Sequence, residues 1–259
     1  MKKVLILNDF VSWGRLAGSQ VDAILTYKDY DVMFLPTALI SNMFSMGGIS
    51  VLDTSEYLEE TLDKWAKMGQ IFDAVFIGYL KNARQKDLIK KFLKSLDHRP
   101  LIIHDPIMAD HGALYKGLDP NIVEIQREVA EFSDILIPNF TEAGFLAGNE
   151  GKYVEEIVKT LGKNGKKVII TSVKDEGIHK IISYSENRLE EIPYDHIDKA
   201  FAGTGDIFDG IFLASFLESK DFKKSIIKAK DIISKILKDK IKRDEESIDI
   251  RIEKYLEFI

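Results

Sequence analysis

The sequence predicts an α/β fold of three layers, α/β/α, in which helices cover both faces of a mainly parallel central sheet. Short apolar runs, most of them rich in Val and Ile, alternate with longer amphipathic segments, as expected when parallel strands are buried by helices on both faces. Two later runs have polar breaks and a turn near Ser185-Glu186-Asn187, which predicts an antiparallel hairpin at one edge of the sheet.

The individual elements follow from apolar spacing and from start and stop signals. Thr54 or Ser55 can cap a helix whose Leu58 and Leu62 fall on one face, and Gly69 can end it. Another helix is expected to start after Pro138. The six central strands are predicted at residues 4–7, 32–35, 74–77, 101–104, 135–137 and 168–171, the hairpin at 178–184 and 189–192, and further helices at 84–96, 121–132, 154–164, 204–217 and 221–242.

Length and composition favour one soluble domain. The 259 residues are 45% hydrophobic, and no Pro/Gly/Ser-rich linker divides them, so we predict a single domain over residues 1–259. The 42 acidic and 36 basic residues are mixed along the chain, which leaves no basic face for nucleic acid. The absence of cysteine excludes disulfides, thiolate metal sites and a catalytic thiol. The apolar run near the N-terminus is too short for a signal peptide or membrane span, so we expect a cytoplasmic location and no membrane partner.

The stretch Gly203-Thr204-Gly205-Asp206 joins a glycine-bracketed turn to a carboxylate at the start of an apolar helix. Glycines allow main-chain N–H groups to crowd around an anion, and the helix dipole adds to the same spot. Asp206 could accept a proton from a hydroxyl held against an incoming phosphate. The alternative is that Thr204 and Asp206 only cap a helix. The sequence has no P-loop, so this turn would have to serve a phosphoryl-transfer site.

Residues suspected of a functional role also follow each of the six predicted central strands. In an open parallel sheet, ligands bind beyond the carboxyl ends of the strands, so these residues are expected to share one site. The structural alternative is that these residues only form the turn that follows each strand. The residues are Asn8 and Asp9, Pro36 and Thr37, Gly78 and Tyr79, Asp105, Asn139, and Thr171 with Ser172.

Four stretches, followed by the glycine turn, occur in the order of a known family. The chain resembles the ribokinase-like superfamily on its vitamin-kinase branch, and most resembles the pyridoxal (pyridoxamine) kinases. The resemblance covers most of residues 4–216. The stretches are Asn8-Asp9 to Trp13-Gly14-Arg15, Leu35-Pro36-Thr37-Ala38 with Ser41-Asn42, Asp105-Pro106-Ile107-Met108-Ala109-Asp110 with Gly112 and Tyr115, and Pro138-Asn139-Phe140-Thr141-Glu142-Ala143.

This resemblance implies ATP-dependent phosphorylation of the 5'-hydroxymethyl group of pyridoxal, pyridoxamine or pyridoxine. It implies Asp206 as catalytic base, with the N–H groups of Ala202, Gly203, Thr204 and Gly205 around the phosphoryl group. It further implies Mg²⁺, a homodimer and, as an open point, K⁺. The remaining implied residues are Asp105, Asn139, Glu142 and Thr171 for ATP, Glu142 and Asp105 for the metal, and Asp9, Ser41 and Tyr79 for the vitamer.

Several alternatives stay open at this point. Asn139 and Glu142 also have the spacing of a capping box, and Asp110 lies in an ordinary turn sequence. Trp13 fits either a pocket wall or a core position. Met43-Phe44 stands where many pyridoxal kinases have His-Thr, which puts the acceptor in question.

Three other functions compete with a pyridoxal kinase. A hydroxymethylpyrimidine kinase of thiamine synthesis shares the Asn-Phe-Thr-Glu-Ala stretch. A non-catalytic B6-vitamer-binding protein on the same scaffold is the alternative from another class, although it would be free to lose Asp206, and Asp206 is present. A sugar kinase is disfavoured because the lid segment usual in such chains is not found.

Overall fold

The computed structural model describes residues 1–43, 46–148, 153–243 and 247–259. Within these ranges, nine strands form one sheet in the order β11-β10-β9-β8-β5-β4-β1-β2-β3, and β6 and β7 form a separate pair. The strands are β1 (Lys3–Val11), β2 (Asp31–Ile40), β3 (Val51–Asp53), β4 (Ala74–Ile77), β5 (Leu101–His104), β6 (Ala109–Asp110), β7 (Ala113–Leu114), β8 (Ile135–Leu136), β9 (Lys167–Asp175), β10 (Ile178–Ser185) and β11 (Arg188–Pro193).

The six central strands, from β2 to β9 in the sheet, are parallel, and the strands at both edges are antiparallel. The predicted α/β class and the predicted edge hairpin, β10 with β11, are therefore confirmed. The helices are α1 (Gly18–Tyr27), α2 (Ser55–Lys67), α3 (Ala83–Ser95), α4 (Ile122–Phe132), α5 (Phe140–Ala147), α6 (Val154–Leu161), α7 (Thr204–Ser219) and α8 (Phe222–Lys242).

Helices pack on both faces of the sheet because successive strand side chains point to opposite sides. In β1, Val4 and Ile6 pack in a cluster with α1, α7 and α8. Leu5 and Leu7, one position along, pack instead with α2, α3 and α4. A further cluster joins α4, α5 and α6 to the strands β8 and β9. None of the described helices is both long and apolar enough to cross a membrane.

The helix α7 is buried along most of its length, which explains why its sequence is apolar on every side. Phe208, Phe212 and Phe216 stack along it, with ring centroids 6.3 and 5.6 Å apart. Residues 247–259 cover this region, and Ile252 and Tyr255 are fully buried. The first turn of α7 is therefore held firmly at the carboxyl ends of the central strands.

Several boundaries differ from the prediction. β1 and β2 continue past the end of β4 and pair with each other as far as Val11 and Ile40, so Asn8-Asp9 and Pro36-Thr37 lie inside strands and not after them. The helix α1 was not predicted, because it begins after Ala17 without a side-chain cap. β3, β6 and β7 are too short to give a sequence signal. Phe44 lies outside the described residues.

Candidate active site

A cavity of about 410 Å³ opens at the carboxyl ends of the central strands. Its walls come from β1, β9, the loops after β4, β5 and β8, and the first turns of α5 and α7. The structure therefore brings most of the predicted site residues together: Asp9, Tyr79, Asp105, Asn139, Glu142, Thr171, Ala202, Gly203, Thr204, Gly205 and Asp206 all line this cavity. Ser41 does not line it.

Asp206 lies in the first turn of α7 and faces the cavity. Its Oδ2 accepts a hydrogen bond from the Ala17 N–H at 2.9 Å, which fixes the direction of the carboxylate. Burial raises the pKa of Asp206 to about 6. The group is then mostly ionised at neutral pH and more basic than an ordinary aspartate. These are properties of a general base for a hydroxyl group.

The turn before Asp206 depends on Gly203. Its φ is 86°, and a Cβ there would lie 2.4 Å from Gln20 Oε1 and 2.9 Å from Leu16 Cδ2. A residue with a side chain would therefore be strained at this backbone angle, and its Cβ would have no space. At Gly205 a Cβ would meet nothing within 4 Å.

The N–H of Ala202 differs from the others in this turn. It donates to the Ile248 carbonyl at 2.9 Å, because residues 202 and 249 form a short parallel bridge. We therefore restrict the predicted anion donors to Gly203, Thr204 and Gly205. The last two lie in the first turn of α7, where N–H groups have no partner within the helix.

Asp105 and Asp209 form a buried pair of carboxyl groups. Asp105 follows β5, and Asp209 is one helical turn after Asp206 on the same side of α7. Their carboxyl groups are close enough for each to influence the pKa of the other. Burial raises the pKa of both groups well above the usual range. Sequence reasoning missed Asp209, and its spacing of three residues from Asp206 was the one signal that could have found it.

Asn139 and Glu142 form the capping box of α5. Asn139 Oδ1 accepts from the Glu142 N–H at 3.0 Å, and Glu142 Oε2 accepts from the Asn139 N–H at 2.9 Å. Glu142 Oε1 also accepts from the N–H groups of Met108 and Ala109, at 3.1 and 3.3 Å. The capping interpretation is confirmed. It does not exclude a second role, since both residues also line the cavity.

Asp9 and Tyr79 line the same cavity. Asn8 Oδ1 accepts from the N–H groups of both residues, at 2.9 and 2.8 Å, and so holds the two strands in register. Gly78 permits this approach, because a Cβ there would lie 2.4 Å from Asn8 Oδ1. Thr37 donates to the Tyr79 carbonyl at 2.6 Å. Burial, and then the charge of Asp206, raise the pKa of Asp9 to about 7.

Other predicted residues have simpler surroundings. Ser41 Oγ donates to Asn42 Oδ1 at 2.5 Å, and Asn42, not Ser41, lines the cavity. Trp13 is 66% exposed, so the core position considered for it is wrong. Asp110 lines the cavity, and its Oδ1 accepts from the His111 N–H at 2.7 Å. His104 is buried beside Gln126, with Nε2 2.9 Å from Oε1, as expected of a structural histidine.

A second, smaller cavity of about 240 Å³ adjoins the first. The two cavities share a wall made by Thr171, Ser172, Phe201, Thr204, Gly205 and Phe208. The rest of the smaller cavity presents mostly apolar surface, from Ile181, Tyr194, Ile233 and Leu237, together with the charged residues Lys199 and Lys230. The glycine turn thus lies between a carboxylate-lined space and an apolar one.

Comparison with known proteins places this site in a family of enzymes. The sequence model of the phosphomethylpyrimidine kinase family matches residues 21–250, which is most of the chain. The chain belongs to this family. Its members include kinases, so the family assignment supports the phosphotransferase class that the glycine turn and Asp206 indicate.

Individual relatives agree with the assignment. A pyridoxal kinase of Histophilus somni is 26% identical over 239 residues, covering 85% of this chain and 82% of that protein. A Bacteroides thetaiotaomicron protein crystallised with pyridoxal superposes with a TM-score of 0.89 at 28% identity, covering 99% of this chain and 94% of that one. The pyridoxal kinase of Lactobacillus plantarum superposes with a TM-score of 0.92 at 24% identity, covering 99% and 96%, and shares the ribokinase-like fold.

The buried Asp9 carboxyl makes stability depend on pH. Because the folded-state pKa of about 7 lies above the usual 3.8, the folded protein keeps a proton that the unfolded chain releases. The bound proton therefore stabilises the folded state at low pH, and this stabilisation is lost as the pH rises through about 7. We expect Asp9→Asn to be more stable than wild type at pH 8, by roughly 2–4 kcal/mol.

Urea unfolding of both proteins at pH 5 and pH 8 measures this difference, which should widen with pH. Asp97→Asn, at an exposed position, is the matched control and should change nothing. Equal stability of wild type and Asp9→Asn at pH 8 would show that the Asp9 carboxylate is not destabilised by burial.

Proposed function

We propose that the protein transfers the γ-phosphoryl group of ATP to the 5'-hydroxymethyl group of pyridoxal or a related B6 vitamer, yielding the 5'-phosphate and ADP. The observation that carries the proposal is the position of Asp206. Its carboxylate lies between a glycine turn with free N–H groups and a cavity lined by Asp9 and Tyr79. The relatives named as pyridoxal kinases support the choice of acceptor.

In this proposal, the hydroxyl oxygen of the acceptor attacks the γ-phosphorus while Asp206 accepts the hydroxyl proton. The bond from the phosphorus to the ADP oxygen breaks, and ADP leaves. The N–H groups of Gly203, Thr204 and Gly205 stabilise the charge that develops on the phosphoryl oxygens. Such donors are fixed by the fold, so they need no reorganisation during the reaction.

We place the nucleotide base in the smaller apolar cavity. Thr171, Thr204 and Gly205 border both cavities, so a triphosphate leaving the smaller one would pass directly over the glycine turn. We place the vitamer ring beside Tyr79, which offers a flat apolar face, with Asp9 near its polar substituents. Ser41 would act on this pocket only through Asn42.

The residues around Asp105 fit a magnesium ion. The donor set consists of hard oxygen atoms, from Asp105, Asn139 and Glu142, and of the described residues that line the main cavity none is lysine or arginine. A magnesium ion would neutralise charge on the phosphate oxygens during transfer. Asn139 and Glu142 would then orient water molecules or the loop after β5, in addition to capping α5.

Turnover of two acceptors tests this function. We expect pyridoxal to be phosphorylated with kcat/KM at least about 10-fold above that of hydroxymethylpyrimidine, since a site built to pair with an acceptor's polar groups discriminates against analogues that lack them. Detection of the phosphorylated product by ³¹P NMR, with ATP and each acceptor in turn, measures the two rates. Turnover of the pyrimidine alone would favour a thiamine-pathway kinase, and binding of pyridoxal without ATP consumption would favour a vitamer-binding protein.

Three further properties stay predictions from the resemblance. We propose a homodimer, for which exposed Leu39, Val51 and Leu52 at the β3 edge of the sheet offer apolar surface. Light scattering tests it: a mass of 29.4 kDa, that of one chain, would contradict it. Turnover measured in K⁺ and in Na⁺ tests whether the reaction requires K⁺. We also propose a cytoplasmic location.

A further inference from the structure

The side chain of Gln20 is fully buried between the glycine turn and the C-terminal segment, residues 247–259. Gln20 lies in the first turn of α1, and its Nε2 donates to the Ile250 carbonyl at 2.8 Å. Its Oε1 is buried and finds no N–H or hydroxyl donor among the described residues. A buried amide oxygen without such a donor destabilises the fold, so its position needs a reason.

The unpartnered oxygen of Gln20 points at Gly203. A Cβ added to Gly203 would lie 2.4 Å from Gln20 Oε1 and 2.8 Å from Nε2. Glycine carries a hydrogen atom in that direction, so this hydrogen faces the amide oxygen in a weak Cα–H···O contact. The Gln20 amide therefore packs directly against the backbone of the turn, and only a residue without a Cβ leaves room for it.

A second contact joins the same turn to the C-terminal segment. The Ala202 N–H donates to the Ile248 carbonyl at 2.9 Å. Ile250, which accepts from Gln20, is buried in the core cluster beside α1 and α7. Displacing this segment would expose its apolar side chains to water. The turn is thus tied at two consecutive residues, 202 and 203, to one short and firmly packed stretch of chain.

We propose that Gln20 is a positioning residue for phosphoryl transfer, which links the glycine turn to the C-terminal segment and so holds the N–H groups of residues 203–205 in place. Gln20 does not line the main cavity, so it acts through the turn and not on a substrate. Donors that are already in place accelerate a reaction because they need no rearrangement as charge develops. The effect on rate rests on the proposed function, whereas the effect on the turn does not.

Gln20→Met tests this role. Methionine is close to glutamine in length and size, but it cannot donate to the Ile250 carbonyl. We expect kcat to fall by at least about 10-fold, with smaller changes in KM. In the protein without substrates, NMR hydrogen exchange should show the Ala202 N–H exchanging at least about 10-fold faster than in wild type, because the turn is no longer held against Ile248.

Gln20→Glu adds a measurement that depends on the donor itself. A protonated carboxyl group can donate to the Ile250 carbonyl as the glutamine amide does, whereas a carboxylate cannot. Burial raises the pKa of such a group, so part of the variant keeps its proton near neutral pH. We expect the activity of Gln20→Glu relative to wild type to fall as the pH rises between about 5 and 8, and the relative activity of Gln20→Met to stay constant.

Gln126→Met is the matched control. Gln126 is also fully buried, its Oε1 lies 2.9 Å from His104 Nε2, and it does not line the main cavity. The same substitution there removes a buried hydrogen bond far from the turn. We expect it to lower the melting temperature as Gln20→Met does, but to keep kcat and the exchange rate of the Ala202 N–H within about twofold of wild type.

Two results would overturn the proposal: Gln20→Met with kcat within about twofold of wild type, or with an Ala202 N–H that exchanges no faster than in Gln126→Met. If Gln20→Met does not fold, a relative activity of Gln20→Glu that is independent of pH contradicts the donor role. If wild type phosphorylates no vitamer, the proposed function fails, and the exchange of the Ala202 N–H still decides whether Gln20 holds the turn.

Discussion

Asp206→Asn is expected to lower kcat by about 10²–10⁴-fold, the range for loss of a positioned general base. Asparagine keeps the size of the side chain, and its Oδ1 can still accept the Ala17 N–H that Asp206 accepts at 2.9 Å. The amide cannot take a proton from the acceptor hydroxyl. KM for ATP and for pyridoxal should therefore change little. Steady-state kinetics with both substrates measures the effects on kcat and on KM separately.

Asp97→Asn is the control for the removal of one aspartate and should keep full activity, because that residue is exposed and does not line the cavity. A variant at position 206 that retained more than about one tenth of wild-type kcat would contradict the assignment of the base. A rise in KM with kcat unchanged would instead give Asp206 a role in binding only.

Gly203→Ala is expected to reduce kcat/KM by at least about 10²-fold, because it displaces the turn whose N–H groups we propose as donors to the phosphoryl group. The added Cβ would meet Gln20 Oε1 at 2.4 Å and Leu16 Cδ2 at 2.9 Å, at a φ of 86° that alanine seldom adopts. We also expect the free energy of unfolding to fall by about 1–3 kcal/mol. Kinetics and urea unfolding measure the two effects.

Gly205→Ala provides the matched comparison two residues away. Its Cβ would meet nothing within 4 Å, and alanine is the better helix former, so stability should stay the same or rise by up to about 1 kcal/mol. If Gly203→Ala were as stable and as active as wild type, the turn would not need its left-handed conformation. Equal losses at both positions would point to general helix damage.

The sequence predicted the place of the site because its signals are local or topological. Parallel strands all present their carboxyl ends on one side, so residues after successive strands, such as Tyr79, Asp105 and Asn139, had to approach one another. Glycines bracketing Thr204 marked the turn directly. These inferences needed only the order of the elements, which the apolar spacing supplied.

What the sequence could not supply are contacts that depend on how elements rotate and where loops return. Asp209 faces Asp105 only because α7 is turned in a particular way over β5. The N–H of Ala202 is engaged by Ile248, a residue from the far end of the chain. Ala17 donates to Asp206 from a backbone at φ 56°, a conformation that no local pattern indicates for alanine.

A crystal structure with pyridoxal and a nonhydrolysable ATP analogue tests the central claim most directly. We expect the hydroxymethyl oxygen within about 3.2 Å of an Asp206 carboxylate oxygen, and about 3–3.5 Å from the γ-phosphorus, with the phosphate over the N–H groups of residues 203–205. A bound vitamer whose hydroxymethyl group points away from Asp206, with another residue closer to that oxygen, would contradict the account.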